Sequence, residues 1–389
     1  MKRSLWMLSL CVALAGCAGA PLAPQPPATH LFDDAAYAPP TQHIDATQLF
    51  ALSDAMRHYL DVEIAGSLRA NGRQRGLVDA LFRRGQLKLE YDSALTRTAA
   101  EAFDARAGNC LSLVLMTAAL AKHLELPVQF NSVHSDELWS RSGDLVFVNG
   151  HVNILVAKRM VDQSFGYDPD ARLRLDFLPP PRGAMMQSIG EEVIVAMFMN
   201  NRSAEAMARG QLDDAYWLAR EALVQAPAFL PAYNTLGVVH QRRGRPALAE
   251  AAFRHVIERN AASRPALANL QRLLEAQPGR EAEALALRER LARIDPTPPF
   301  HFFHLGRAAL RGRDYRAARE LFAKEMQRDP DYHEFHFWIA IAYLGLGDVE
   351  RARLSMDTAM RNSTSRGDHE LYAAKLSHLK ALAATPRVQ

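Results

Sequence analysis

Residues 233–253 read YNTLGVVHQRRGRPALAEAAF, and this stretch decides the C-terminal half of the chain. Tyr233, Leu236 and Gly237 stand on one helix face, Gly244 breaks the helix, and Ala249 and Phe253 open a second apolar face. The same marks recur with a period of roughly 34 residues. Gly210, Gly244, Gly279 and Gly347 each stand five residues before an alanine, at Ala215, Ala249, Ala284 and Ala352, and Gly312 precedes Ala317 and Ala318. Phe322 answers Phe253, Ala359 answers Ala222, and Pro227, Pro296 and Pro330 punctuate the units. Phe302 with Leu305-Gly306 repeats Tyr233 with Leu236-Gly237. Small residues let two helices approach, glycine ends the first helix and proline starts the next pair, so the pattern predicts stacked helical hairpins.

These residues resemble the tetratricopeptide consensus over residues 196–365, about five repeats, followed by a capping helix and tail over 366–389. The resemblance implies an all-α solenoid that binds a protein or peptide. In that family the first-helix positions of the concave surface fall on Asn234, Arg242, Phe303, Arg307, Arg311 and Phe337. Aromatics mixed with arginine suit a peptide-binding surface; packing and solvated charge are the alternative use of the same side chains.

Toward the N-terminus, Pro179-Pro180-Pro181-Arg182-Gly183 breaks the pattern, and residues 181–195 are expected to be a linker. Residues 44–180 are expected to form an α+β domain. Helices are read over Ala46–Leu60, Gly76–Arg84 and Asn109–Leu124, the last apolar nearly all round and so central. Strands are read over Val128–Val133, Leu145–Val148, Val152–Val156 and Met160–Phe165. Within this domain Gly108-Asn109-Cys110 opens the central helix, Gly150-His151-Val152-Asn153 places a histidine at a strand start, and Val161-Asp162 follows. A thiolate is the working nucleophile, a helix N-terminus favours it, and an imidazole can take the thiol proton and return it to a leaving amine.

Together with Thr96–Phe103 and Leu124–Val128, these pieces resemble a transglutaminase-like domain over roughly residues 75–170. The resemblance implies a Cys110, His151, Asp162 triad, with the Cys110 N–H as an oxyanion donor, a thiol pKa lowered by His151, and no cofactor. If Lys158-Arg159 is a two-residue turn, Asp162 shares the strand face of His151 and Asn153. Asn153, Asp168 and Asp170 remain rival orienters, and the family pattern favours Asp162. His301/His304 and His333/His336 form two pairs at helical spacing, but no cysteine or matched carboxylate completes a metal site.

At the N-terminus, Lys2 and Arg3 precede an apolar run, Leu5–Leu14, too short for the roughly 18 residues a spanning helix needs. Leu14-Ala15-Gly16-Cys17 resembles the bacterial lipobox, which implies a signal peptide over 1–16 and a lipidated Cys17. Ala18 in place of aspartate goes with outer-membrane sorting and a periplasm-facing protein. Residues 17–43, rich in Pro and Ala, read as a flexible tether able to reach on the order of 80 Å at ~3.3 Å per residue. The chain has three cysteines, and with Cys11 and Cys17 so used only Cys110 remains a free thiol. The net charge is +3 with scattered positive residues, which argues against a nucleic-acid-binding stripe. The expected function is a membrane-anchored cysteine enzyme acting on amide bonds through a thioester, its repeats recruiting a protein substrate or partner. The alternative is a non-catalytic lipoprotein scaffold.

Overall fold

A computed structural model describes residues 26–41, 45–82, 87, 89–134, 139–142, 145–148, 151–162, 168, 171–178 and 185–384. The expected signal peptide and Cys17 lie outside these residues.

The N-terminal helices are α1 (Asp54–His58), α2 (Ala65–Asn71), α3 (Arg73–Phe82), α4 (Ala99–Ala105) and α5 (Cys110–His123). The helix expected over Ala46–Leu60 is broken. Asp45 caps a short 3-10 turn, Ser53 caps α1, and a π turn follows at Tyr59–Glu63. Helix α5 is the buried one, with every residue from Leu111 to Ala121 inside. Strands β1 (Glu90–Tyr91) and β2 (Ala107–Gly108) form a parallel pair beside its start. Strand β3 (Val128–His134) begins an antiparallel sheet, β4 (Trp139–Ser142) and β5 (Leu145–Val148) form a hairpin, and β6 (His151–Ala157), β7 (Arg172–Leu175) and β8 (Met185–Ile189) complete the sheet in the order β7-β6-β3-β8. Val152, Ile154 and Val156 of β6 are fully buried in the core that holds α5.

Two expectations fail in this domain. The strand expected over Met160–Phe165 does not start as read: Met160–Asp162 is a 3-10 turn, and residues 163–165 lie outside the described residues. Lys158 N–H donates to Ala171 O at 3.0 Å and Lys158 Nζ pairs with Asp168 at 2.8 Å, and the chain is paired with β6 again as β7. The stretch 181–195 is also not simply a linker. It contains β8, hydrogen-bonded along β3, and after Gly190 it enters the first repeat helix.

The repeats are α6 (Glu191–Ala208) with α7 (Leu212–Gln225), α8 (Leu230–Arg242) with α9 (Pro246–Arg259), and α10 (Arg264–Glu275) with α11 (Glu281–Ile294). After these come α12 (His301–Arg311) with α13 (Tyr315–Arg328), α14 (His333–Gly345) with α15 (Val349–Arg361), and the capping helix α16 (Arg366–Ala384). Gly210, Gly244, Gly279 and Gly347 take φ between +76° and +81° at the hairpin turns. In the fourth repeat Arg313, not Gly312, occupies that left-handed position, at φ 58°. One apolar core runs from Leu31 through α5 and the sheet to Ala266, so the cysteine domain and the first repeats share their interior.

The array is interrupted once. Helix α9 packs on α10 and α13 on α14, whereas α11 and α12 barely meet. A separate core begins at Phe300, and Leu285 and Leu305 on the two facing helices stay 52% and 46% exposed. The segment Asp295-Pro296-Thr297-Pro298-Pro299 joins the two blocks; Arg264 holds Asp295, and Arg328 holds the carbonyls of Thr297 and Pro298. The far end of the array returns to the cysteine domain, where Ser93 N–H donates to Thr364 O at 2.7 Å.

The tether is corrected most sharply. Residues 28–41 lie docked across α7, α8 and α9. Leu31 is fully buried and Tyr37 stacks on Tyr216 with ring centroids 3.9 Å apart. His240 donates from Nε2 to Leu31 O at 2.9 Å and accepts at Nδ1 from the Tyr37 hydroxyl at 3.0 Å. Trp217 donates to Ala38 O, and Asp214 accepts from both the backbone and the hydroxyl of Thr41. A proline-rich composition pointed to a free extended chain, but the segment forms 3-10 turns at Thr29–Leu31 and Asp34–Ala36, and its leucine and tyrosine side chains pack against the repeats.

Burial lowers the pKa of His240, His255 and His333, whose rings are packed within the repeats. Each folded pKa lies below the unfolded value near ~6.5, so as pH falls through that value the unfolded chain takes up protons that the folded chain refuses. Stability is then lost on acidification, at up to about 1.4 kcal/mol per pH unit for each histidine. Melting temperature measured from pH 8 to pH 5 should fall steeply below about pH 6.5, and His240→Gln should flatten part of that slope.

Candidate active site

Cys110 is the first residue of α5. Asn109 caps the helix, its Oδ1 accepting from Ser112 N–H and from the Ser112 hydroxyl, both at 2.9 Å. Gly108 is needed at the turn because a Cβ there would lie 2.6 Å from Ser112 Cβ. The residue is partly exposed, but its sulfur is surrounded by protein. Burial pushes the thiol pKa up, and the N–H groups of Val152, Leu111 and Cys110 itself pull it back down. The depressed pKa expected from the sequence is therefore not found in this state, because desolvation outweighs the helix start.

His151 is 3% exposed and stands next to Val152, whose N–H faces the sulfur. Its Nε2 lies 3.1 Å from Asp176 Oδ1, and the charge of Asp176 reaches Cys110. A carboxylate on Nε2 selects the tautomer with the proton there and leaves Nδ1 as the base. The carboxylate beside His151 is thus Asp176 and not Asp162. Strand β7 pairs with β6 so that Leu175 faces Ile154, and one further step puts Asp176 opposite Asn153, on the face of His151. Asp162 is exposed on the 3-10 turn, where Arg159 holds it at 2.7 Å and keeps its carboxyl below the usual range. Of the rival orienters, Asp168 pairs with Lys158, Asp170 lies outside the described residues, and buried Asn153 accepts from Asn131 at 2.9 Å. The alternation Arg172-Leu173-Arg174-Leu175-Asp176 was the available signal for β7.

Tyr91 was also missed. Strand β1 brings it opposite Gly108, with its phenol beside the Cys110 backbone N–H, and burial with the nearby thiol raises its pKa. The amide assigned to an oxyanion therefore already has a neighbour, and an incoming acyl group must share or displace it.

The expected partner-binding residues divide. Phe303 is fully buried among Phe300, Phe322 and Phe335. The fourth repeat has no close neighbour before it, so these aromatics close on one another to form its core. Phe337 stacks on Tyr372 of α16, Asn234 accepts from Asn269, and Arg242 donates to Met207 O. Arg307 lies 4.8 Å over the Trp338 ring, and Arg311 is exposed. His333 bonds the Tyr372 hydroxyl and His336 the Pro330 carbonyl.

Family models of the tetratricopeptide repeat match residues 230–263 and 303–365. The C-terminal region is a tetratricopeptide array. Similar solved structures include YrrB, described as a tetratricopeptide protein with an unusual peptide-binding site, at 18% identity over 46% of this chain and 92% of that one, TM-score 0.25. A thermophilic tetratricopeptide protein of Thermus thermophilus shares 18% identity over 47% and 99%, TM-score 0.31. PilF of Pseudomonas aeruginosa shares 21% over 48% and 84%, TM-score 0.29. At such scores the likeness adds nothing to the repeat spacing. No curated protein matches the chain significantly.

Proposed function

We propose that the chain is a lipid-anchored tetratricopeptide scaffold that presents a transglutaminase-like cysteine centre to a protein held by its repeats. Tetratricopeptide arrays are protein-interaction modules, and this supports the scaffold half. The single observation behind the enzymatic half is the pair of buried His151 and part-buried Asp176, beside which Val152 turns its N–H to the Cys110 sulfur. In that chemistry His151 takes the thiol proton as sulfur attacks an amide carbonyl. The C–N bond breaks with the proton returned to the leaving amine, and water or another amine resolves the thioester. The Leu14-Ala15-Gly16-Cys17 box supports the anchor.

A non-catalytic scaffold is the second reading, favoured by the burial that raises the thiol pKa. One experiment separates the two. An electrophilic amide-mimicking probe should label Cys110 in membrane fractions, Cys17→Ser should release the labelled protein or leave it uncut, and His151→Ala should abolish labelling. Labelling indifferent to His151→Ala sinks the enzyme and leaves the scaffold.

A further inference from the structure

We propose that Glu205, on the first helix of the repeats, is a positioning residue for Cys110, acting through Thr96 and Asn109. The inference rests on the reading of Cys110 as a nucleophile. Thr96 is 1% exposed, in the loop between β1 and α4. Its N–H donates to Glu205 Oε1 at 2.7 Å, and its carbonyl accepts from Arg202 Nη1 at 3.0 Å. Both of those partners lie on α6, and Arg202 Nε stands 3.8 Å from Glu205 Oε2. The Thr96 hydroxyl accepts from Asn109 Nδ2 at 2.9 Å.

That last bond decides which way the Asn109 amide points. With Nδ2 committed to Thr96, Oδ1 must face the helix, where it accepts from Ser112. A flipped amide would turn its NH2 toward the unsatisfied N–H groups of the first turn, and the cap would be lost. The amides of Leu111 and Cys110, which hold the thiol pKa down, belong to that turn. A carboxylate of the array is thus linked through three hydrogen bonds, by way of Thr96 and Asn109, to the first turn of the helix that Cys110 opens. The same loop is gripped from the other end of the array: the Ser93 hydroxyl lies 3.0 Å from that of Thr364. Arg97 N–H also donates to Ser112 Oγ at 2.8 Å, which locks the loop to the helix start.

The test is iodoacetamide alkylation of Cys110 against pH, on the full chain, with thermal unfolding of each variant measured alongside. Thr96→Val and Glu205→Ala should move the midpoint up by about half a pH unit and slow alkylation near pH 7 about threefold. Thr96→Ser and Glu205→Gln keep the acceptors and should behave as the parent. A folded Thr96→Val protein with the parental midpoint overturns the proposal. If Thr96→Val does not fold, equal midpoints for Glu205→Ala and Glu205→Gln overturn it instead. A shifted Thr96→Val midpoint in a protein whose thiol ignores His151→Ala still supports positioning, while removing the acyl-transfer reading.

Discussion

Replacing Asp176 with asparagine should lower acyl transfer at Cys110 by about three to four orders of magnitude, by analogy with removal of the carboxylate in other triads. The carboxylate lies 3.1 Å from His151 Nε2, and both side chains are largely enclosed. Asparagine can turn its NH2 toward the ring and favour the proton on Nδ1, the nitrogen that must act as base. Asp162→Asn should leave the rate within about twofold, because it removes only an exposed pair with Arg159. Single-turnover kinetics on an amide substrate would compare them. Equal losses in both variants would return the orienting role to the turn after β6. Arg174 also touches Asp176, with Nε 3.1 Å from Oδ2, so Arg174→Ala should cost less than Asp176→Asn and retain the pH profile.

Phe303→Ala should destabilise the distal repeats by about 3–5 kcal/mol, the usual cost of emptying a large aromatic site. Phe303 is fully buried in a small core that includes Phe300, Phe322, Phe335 and Ile339 and is separate from the main one. A loss of that size rivals the whole stability of a two-repeat block, so the distal part should unfold first and separately. Denaturant unfolding followed by Trp338 fluorescence would show an early transition. A protein of parental stability that has lost only its affinity for a partner would instead place Phe303 on the binding surface. Arg311→Ala, at an exposed position, should leave the unfolding curve unchanged.

What the sequence made legible was periodic and local. The turn glycines and the alanines after them placed four of the five hairpins, and Asn109 with the apolar run after it placed α5 and its cap. The misses were matters of partner choice. Nothing in Val161-Asp162 says that Arg159, three residues back, will claim the carboxylate, nor that Lys158 and Ala171 will close a long loop and make Arg172–Leu175 the next strand. Phe303 stands at a concave-surface position by repeat arithmetic. That arithmetic assumes an unbroken stack, and the break after α11 gives its ring a different home. Thr96 and Glu205 are 109 residues apart, and their contact follows from packing that no spacing rule carries.

If Cys17 carries lipid as proposed, the docked residues 28–41 shorten the reach of the body from the membrane. With Cys17 as the proposed attachment point, eleven residues separate it from Ala28, a contour of at most about 40 Å and half that of the whole expected tether. The leash meets the body at α8 and α9, where Ala28 N–H bonds the Tyr233 hydroxyl and Thr29–Leu31 packs on α9. The molecule would therefore ride low and with a preferred heading, the side bearing the strap turned to the lipid headgroups. On that reading, a protein bound by the repeats would have to come within that distance of the membrane or be tethered there itself.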